Sequence, residues 1–198
     1  MKIREQKFLN HSTFEDSKKP PSVWQAYDDT FIDKRVNSLL EFGVGNGQCL
    51  RRIKATFPDA LVVGVDKRIG MGIQGVQLFE CRQENTEKLD GYVGDMRFDV
   101  IIDDCAHQYD AARSCFEYCW DKLLNPGGYY CLEAWARQYG DNNCGTPFHQ
   151  FIHELIDQMG EPVWRDYGGR SEFAYMGIWD HVAILQKHRE TNGSQPSQ

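Results

Sequence analysis

Ser38-Leu39-Leu40-Glu41-Phe42-Gly43-Val44-Gly45-Asn46-Gly47 begins as a short apolar run and closes on three glycines spaced two apart. Gln48–Phe57 follows with a helical pattern that Pro58-Asp59 stops. A strand that enters a helix through glycines lets the backbone turn sharply and come close to a ligand. Downstream, Ala60–Asp66 (ALVVGVD) is a β-branched run of the kind that forms a strand buried on both faces. Val76–Cys81 is a weaker strand, and Phe98–Asp103 (FDVIID) is another apolar run with an acidic end. Tyr109–Leu124 reads as a helix ended by Asn125-Pro126-Gly127-Gly128, and Gly128–Glu133 (GYYCLE) as a fifth strand. Phe148–Met159 is amphipathic, with Phe148, Phe151, Ile152, Leu155, Ile156 and Met159 on one stripe. Pro162–Tyr167 and His181–Lys187 supply two last strands. Strands alternating with helices predict an α/β architecture: a Rossmann-like, doubly wound, mostly parallel seven-stranded sheet with helices on both faces.

Upstream of the glycine stretch, Lys18-Lys19-Pro20-Pro21 is a break, and Val23–Val36 reads as a helix with Ser22 as its N-cap. Trp24, Tyr27, Phe31 and Ile32 share its apolar face. The expected organisation is an N-terminal helical lid or extension over 1–37, a ligand-binding domain over 38–188, and a polar, disordered tail over 189–198. The chain has 198 residues, 22 Lys+Arg against 29 Asp+Glu, and a net charge of −7. One domain is the default at that length. A 41% hydrophobic and 26% charged composition excludes a disordered chain, a coiled coil and a collagen-like repeat. No apolar run approaches the ~18–20 residues that span a bilayer. Met1–Lys7 has no apolar stretch of a secretory signal, so the expected location is cytoplasmic, with no membrane partner. The acidic balance argues against a nucleic-acid partner, which needs a Lys/Arg field. Seven cysteines without a Cys-x-x-Cys pair read as buried free thiols; the sharper alternative is a reactive Cys105.

In a parallel α/β sheet, ligands sit beyond the carboxyl ends of the strands near the topological switch. Each acidic or glycine-rich strand end is therefore a site candidate. Gly43, Gly45 and Gly47 form the loop, with Glu41 before it. A dinucleotide fingerprint would place its third glycine at position 48, where this chain has Gln48. Asp66, at the next strand tip, can accept both hydroxyls of a ribose, and Lys67 adjoins it. Gln83 and Glu84, with Asn85, follow the third strand and are candidates to read a base. Asp103-Asp104-Cys105-Ala106-His107 follows the fourth strand, and His107 is the side chain suited to take a proton near neutrality. Glu133 ends the fifth strand. Carboxylates clustered this way suit a hard cation such as Mg²⁺, or one of them orients His107 without a metal.

The glycine loop resembles motif I of the class I S-adenosylmethionine (SAM) methyltransferases. The run Phe98–Tyr109, then Leu124-Asn-Pro-Gly-Gly128 and Glu133, closely resembles the macrocin and mycinamicin O-methyltransferase group, which has relatives described near cephalosporin hydroxylase. Asp16-Ser17-Lys18 with Trp24 and Tyr27, Leu40-Glu-Phe-Gly-Val44, and Phe57-Pro-Asp-Ala60 with Gly64-Val-Asp66 resemble the corresponding segments of that group. The resemblance covers about 16–133. It implies the class I methyltransferase fold, SAM as co-substrate, and a Mg²⁺ in the active site. By position it implies His107 as general base, Asp104 as catalytic residue and metal ligand, Glu133 as metal ligand, and Asp103 beside the cofactor. The group has an Asp after the Glu where this chain has Ala134, and a His-Thr-Ser-Tyr stretch where this chain has Trp135-Ala-Arg-Gln-Tyr139. The first departure removes one expected metal ligand; the second points to a different acceptor.

The expected reaction is methyl transfer from a sulfonium to a hydroxyl of a small molecule: a sugar, a polyketide or a phenol. Trp135, Tyr139, Asn142, Asn143, Tyr167, Arg170, Tyr175 and Trp179 are the candidate acceptor wall. The alternatives are a methyltransferase with a nitrogen or nucleic-acid acceptor, a non-catalytic SAM-binding protein, and, more distantly, an NAD enzyme. The expected partner is the small-molecule acceptor; a homo-oligomer is left open.

Overall fold

The computed structural model describes residues 19–31, 33–136, 146–166 and 171–189, the helix residues after 160 as backbone only. The strands are β1 (Ser38–Phe42), β2 (Leu61–Asp66), β3 (Val76–Glu80), β4 (Phe98–Asp103), β5 (Leu124–Glu133), β6 (Phe173–Ile178) and β7 (Val182–Lys187). The helices are α1 (Pro21–Phe31), α2 (Gln48–Thr56), α3 (Thr86–Val93), α4 (Tyr109–Tyr118) and α5 (Phe148–Asp166), with one π-helical turn at Cys119–Leu123. All seven strands form one sheet in the order β3-β2-β1-β4-β5-β7-β6. β1 to β5 run parallel, and β7 runs antiparallel between β5 and β6. The chain reverses direction across the sheet between β1 and β4. The crevice outside their carboxyl ends is where such sheets bind ligands.

Alternation along the central strands assigns each side chain to a face. Leu40, Phe42, Ile101, Tyr130 and Leu132 pack on α3, α4 and α5 in one core cluster. Leu39, Val100, Ile102 and Cys131 pack on α1 and α2 in the other. By the same parity Glu41 and Glu133 face the α1/α2 side, whereas Asp103 faces the α3/α4 side. That separation decides the partners of each acid below.

Helix α1 belongs to the core. Val23, Trp24, Ala26, Tyr27 and Phe31 are all buried. The Arg52 guanidinium of α2 stacks over the Trp24 ring at 4.4 Å, with the Asp28 carboxylate offsetting its burial. Truncating a packed tryptophan removes transfer energy and leaves a cavity, typically about 3–5 kcal/mol. Trp24→Ala is therefore expected to lower unfolding stability by that amount in urea titrations. A loss under about 1 kcal/mol would show that α1 is not docked as described.

The sequence reading placed a strand at Pro162–Tyr167; the backbone there instead continues α5 to Asp166, and Tyr167 lies outside the described residues. A proline lacks the N–H that a helix interior uses, which is why Pro162 read as a break. The missing strand is β6, an edge strand that pairs only with β7. Ser22 lies inside α1, which starts at Pro21, and does not precede it. Proline is well tolerated at a first helical position because that N–H has no intrahelical acceptor. The fourth helix ends at Tyr118 in the π turn, and β5 starts at Leu124 with an irregularity opposite Phe98–Val100. Helix α3, capped by Asn85 Oδ1 accepting from the Lys88 amide at 3.0 Å, had no sequence counterpart. Of the tail expected over 189–198, residues 190–198 lie outside the described residues.

Candidate functional site

The glycine loop is fixed by the two strands beside it. The Gly43 amide donates to the Val65 carbonyl at 2.8 Å, and the Asp104 amide donates to the Phe42 carbonyl at 3.0 Å. Both bonds carry their ladders one residue past the strand ends. Gly43 has φ +91°, and a Cβ there would sit 2.0 Å from the Asp104 carbonyl oxygen. Only glycine lets the β1 and β4 tips approach this closely. Gly45 has φ +52° and open space where its Cβ would point. Its amide donates to Asp66 Oδ2 at 3.0 Å, and Asp66 Oδ1 accepts from the Arg68 amide at 3.1 Å. Gly47, at φ +75°, leads into α2.

Facing the loop are the tips of β4 and β5. A crevice of about 420 Å³ is lined by Gly43–Asn46, by Asp104, His107, Glu133 and Ala134, and by Lys19, Pro20 and Val23 before and in α1. His107 and Ala134 both have positive φ, +51° and +55°. Non-glycine residues adopt that region at a cost, and such positions cluster at functional sites. His107 Nε2 stands 3.7 Å from Asp104 Oδ1, and its ring lies against Phe148, with centroids 6.3 Å apart. The structure thus brings Gly43, Gly45, Asp104, His107 and Glu133 to one crevice.

Lys19 occupies the middle of the acid cluster. Its Nζ donates to Asp104 Oδ2 and to Glu133 Oε1, each at 2.6 Å, and lies 3.6 Å from Glu41 Oε1. The Tyr27 hydroxyl also donates to Glu133 Oε1. Burial alone would lower the Lys19 ammonium, but the surrounding Glu133, Glu41 and Asp104 carboxylates hold it well above its ordinary value. Cys49 beside it remains a thiol, because burial raises it, so the acids carry the effect. Neither Glu41 oxygen has an N–H or O–H partner; the neighbouring Cys49 thiol is a weak donor.

Burial pushes the Glu41 carboxyl up to about 8 against the pull of Lys19. An unfolded chain releases that proton near 4.5, its ordinary value. Between those values the folded state binds more protons than the unfolded one, so this group lowers stability as pH rises. Thermal midpoints are expected to fall from pH 5 to 8, with Glu41→Gln flattening the fall. An equally steep decline in that variant would assign the effect elsewhere.

The remaining candidates sit below or beside the crevice. Asp103 points to the opposite face. It accepts from the Gln83 side chain at 3.2 and 3.4 Å, the Cys105 amide at 3.3 Å and Tyr130 at 3.4 Å. Burial raises it to about 7. Gln83 also accepts from the Ala106 amide at 2.8 Å, so it braces the loop that carries His107. Cys105 is raised to about 12 by burial first, with Asp103 adding to it, which opposes a reactive thiolate. Lys67 and Glu84 are exposed, Glu84 pairing with Arg82 at 3.3 Å. Of the aromatic wall, Trp135 Nε1 donates to the Trp179 carbonyl at 2.8 Å. Tyr175 and Trp179 line a separate groove with Asp29 and Tyr129. β6 carries Tyr175 there, on the edge of the sheet. Tyr139, Asn142, Asn143, Tyr167 and Arg170 lie outside the described residues.

The sequence reading also missed the part played by Lys19 and Tyr27. Lys18-Lys19-Pro20-Pro21 signals a stiff, extended entry into α1, because a residue before proline is kept from helical backbone; nothing in it names the target of the amine. For the implied Mg²⁺, the donor set does not fit. Asp104 and Glu133 already share one cation, the ammonium, and Ala134 offers no oxygen. Among the described residues no group of three or more His, Cys, Asp or Glu side chains is arranged to hold a metal.

No family model matches the chain, and no curated protein matches it. Solved structures do. MycE methyltransferase from the mycinamycin biosynthetic pathway, solved with Mg and SAH, superimposes at a TM-score of 0.75 and 22% identity, covering 98% of this chain and 56% of that one. The fold is that of the class I methyltransferases. A ribosomal RNA methyltransferase from Plasmodium falciparum shares this methyltransferase fold at TM-score 0.59 and 14% identity, over 84% of this chain and 93% of that one. The O-methyltransferase TomG from Streptomyces achromogenes, involved in tomaymycin synthesis and solved with SAM, does so at 0.54 and 15%, over 77% and 74%. This chain spans 56% of the length of MycE. Among its described residues no helix is long and apolar enough to cross a membrane.

Proposed function

We propose that this chain is a SAM-dependent O-methyltransferase that acts on a hydroxyl of a small molecule, with His107 as general base. The observation that carries the reading is one crevice walled by Gly43–Asn46 on the β1 side and by Asp104 and His107 on the β4 side. The site suits SAM: the space above Gly45 is open, and Asp66 keeps lone pairs for the ribose after accepting from Gly45 and Arg68. Gly43, Gly45 and Gly47 shape the seat, and Glu41 backs it with oxygens short of donors. Gln83 and Asp103 serve by bracing the 103–107 loop, and Lys67 and Glu84 flank the adenosine end. SAM supplies an electrophilic methyl on a sulfonium.

A hydroxyl is a poor nucleophile until its proton has somewhere to go. His107 Nε2 takes that proton as the C–O bond forms and the C–S bond breaks. Asp104, 3.7 Å from that nitrogen, favours the imidazolium that results. Holding oxygen, methyl and sulfur in line contributes several kcal/mol of the barrier reduction. No step in this mechanism passes through a metal, since Asp104 and Glu133 are engaged by Lys19.

MycE and TomG, whose names place them in natural-product pathways, support a small-molecule acceptor. So do the net charge of −7 and a crevice of ligand size. The test is transfer of labelled methyl from SAM to a panel of sugars, phenols and polyketides, with RNA as a separate arm. Product with none of the hydroxyl compounds, together with no SAM-induced rise in melting temperature, would end the reading.

A further inference from the structure

We propose that the Lys19 ammonium is the resident cation of this site, standing where a divalent metal would bridge the β4 and β5 tips and replacing it. As a charge for catalysis it rests on the O-methyltransfer reading; as a replacement for a metal it is testable without it.

Lys19 Nζ lies 2.6 Å from Asp104 Oδ2 and 2.6 Å from Glu133 Oε1, with Glu41 Oε1 at 3.6 Å. Three carboxylates from three different strand tips converge on one nitrogen. Its side chain is 8% exposed, so the charge is desolvated and its field weakly screened. A Mg²⁺ bound to the same two oxygens at its usual ~2.0–2.1 Å would fall in the volume that Nζ holds. The two cations exclude each other by size and by charge.

The amine is placed there by the backbone. Pro20 and Pro21 stiffen its approach, and the Val23 amide donates to the Pro20 carbonyl at 3.0 Å, so the arm turns directly into the buried α1. The same helix sends the Tyr27 hydroxyl to Glu133 Oε1. The arm and the helix it leads into thus supply the two donors to the acid at the β5 tip. Ala134 adds no carboxylate at the β5 tip, which leaves the ammonium as the cation that Asp104 and Glu133 share. During transfer the hydroxyl proton moves to His107, the acceptor oxygen bonds to the methyl carbon, and sulfur leaves as a neutral thioether. Lys19 keeps its protons throughout and steadies the negative charge that builds on the acceptor oxygen.

The test is Mn²⁺ titration of the metal-stripped protein, followed by electron paramagnetic resonance of the free ion. Wild type is expected to bind no Mn²⁺ below millimolar concentration. Lys19→Ala, which unmasks the Asp104 and Glu133 carboxylates, should bind at least tenfold tighter, and Lys19→Met, which keeps the aliphatic stem, provides the same readout if the alanine variant unfolds. Submicromolar to micromolar Mn²⁺ binding by wild type that Asp104→Asn abolishes would overturn the proposal. So would the absence of Mn²⁺ binding in both folded variants, since the acids would then be no metal site for Lys19 to replace. Once an acceptor is known, turnover should survive EDTA, and its loss in EDTA would also overturn the proposal. Failure to find any acceptor would count against the methyltransferase reading and leave the Mn²⁺ result standing.

Discussion

His107→Ala is expected to cut methyl transfer by about 10²–10⁴-fold, the usual contribution of a positioned general base, while leaving SAM binding within about twofold. The asymmetry follows from where the residue sits. His107 lines the crevice at the β4 tip, three residues beyond Asp104, and has no part in the glycine loop or in the Asp66 bonds that shape the donor seat. Its backbone is held at φ +51° by the braced 103–106 segment. Alanine inherits that strain, and the packing it gives up is the ring's contact with Phe148. Single-turnover transfer of labelled methyl measures the first quantity, and calorimetry with S-adenosylhomocysteine the second. His107→Asn is the useful companion, because asparagine tolerates a positive φ better than most residues and cannot act as the base. Equal losses in both variants place the effect on the proton. Wild-type rates in either would remove His107 from the mechanism.

The fold was readable because its signals were local. β2 and β4 are continuous apolar runs, and burial on both faces of a parallel sheet demands that pattern. The glycines of 43–47 announced a turn, and the turn lies at the switch between β1 and β4. What misled was equally local. Pro162 read as a break, yet the helix continues past it, and β6 gave no strong alternation because, after Phe173, its residues are exposed or half-buried on both faces. The positions of candidate residues were legible where each stands at its own strand tip, as with Asp104, His107 and Glu133, which line one crevice. It was not legible where a residue arrives from elsewhere. Lys19 stands 85 and 114 positions from the acids it binds, and no spacing rule links them. Gln83 was read as facing the base of a cofactor, but its position behind β4 turns its amide onto Asp103 and Ala106. Only the topology, which puts the segment after β3 against the β4 tip, decides that.

Two alanine substitutions two positions apart should have opposite signatures, and the pair tests the geometry of the whole site. At Gly43 a Cβ would meet the Asp104 carbonyl oxygen at 2.0 Å, the carbonyl carbon at 2.7 Å and Cys105 Cα at 3.1 Å. All three are backbone atoms of the neighbouring strand end, so none can rotate away. Left-handed strain of about 1–2 kcal/mol adds to overpacking of about 1–3 kcal/mol. Gly43→Ala is therefore expected to lose about 2–5 kcal/mol in urea unfolding and to displace the Asp104–His107 segment. At Gly45 the φ of +52° brings similar strain, but nothing lies within 4 Å of the added methyl. Stability should fall by only about 1–2 kcal/mol. The methyl instead projects into the open space assigned to the donor, so S-adenosylhomocysteine affinity should drop tenfold or more with the fold intact. If Gly45→Ala binds that ligand as wild type does, the donor does not sit against this loop. If Gly43→Ala is as stable as wild type, the β1 and β4 tips are not in the contact that holds the loop against the acids and His107.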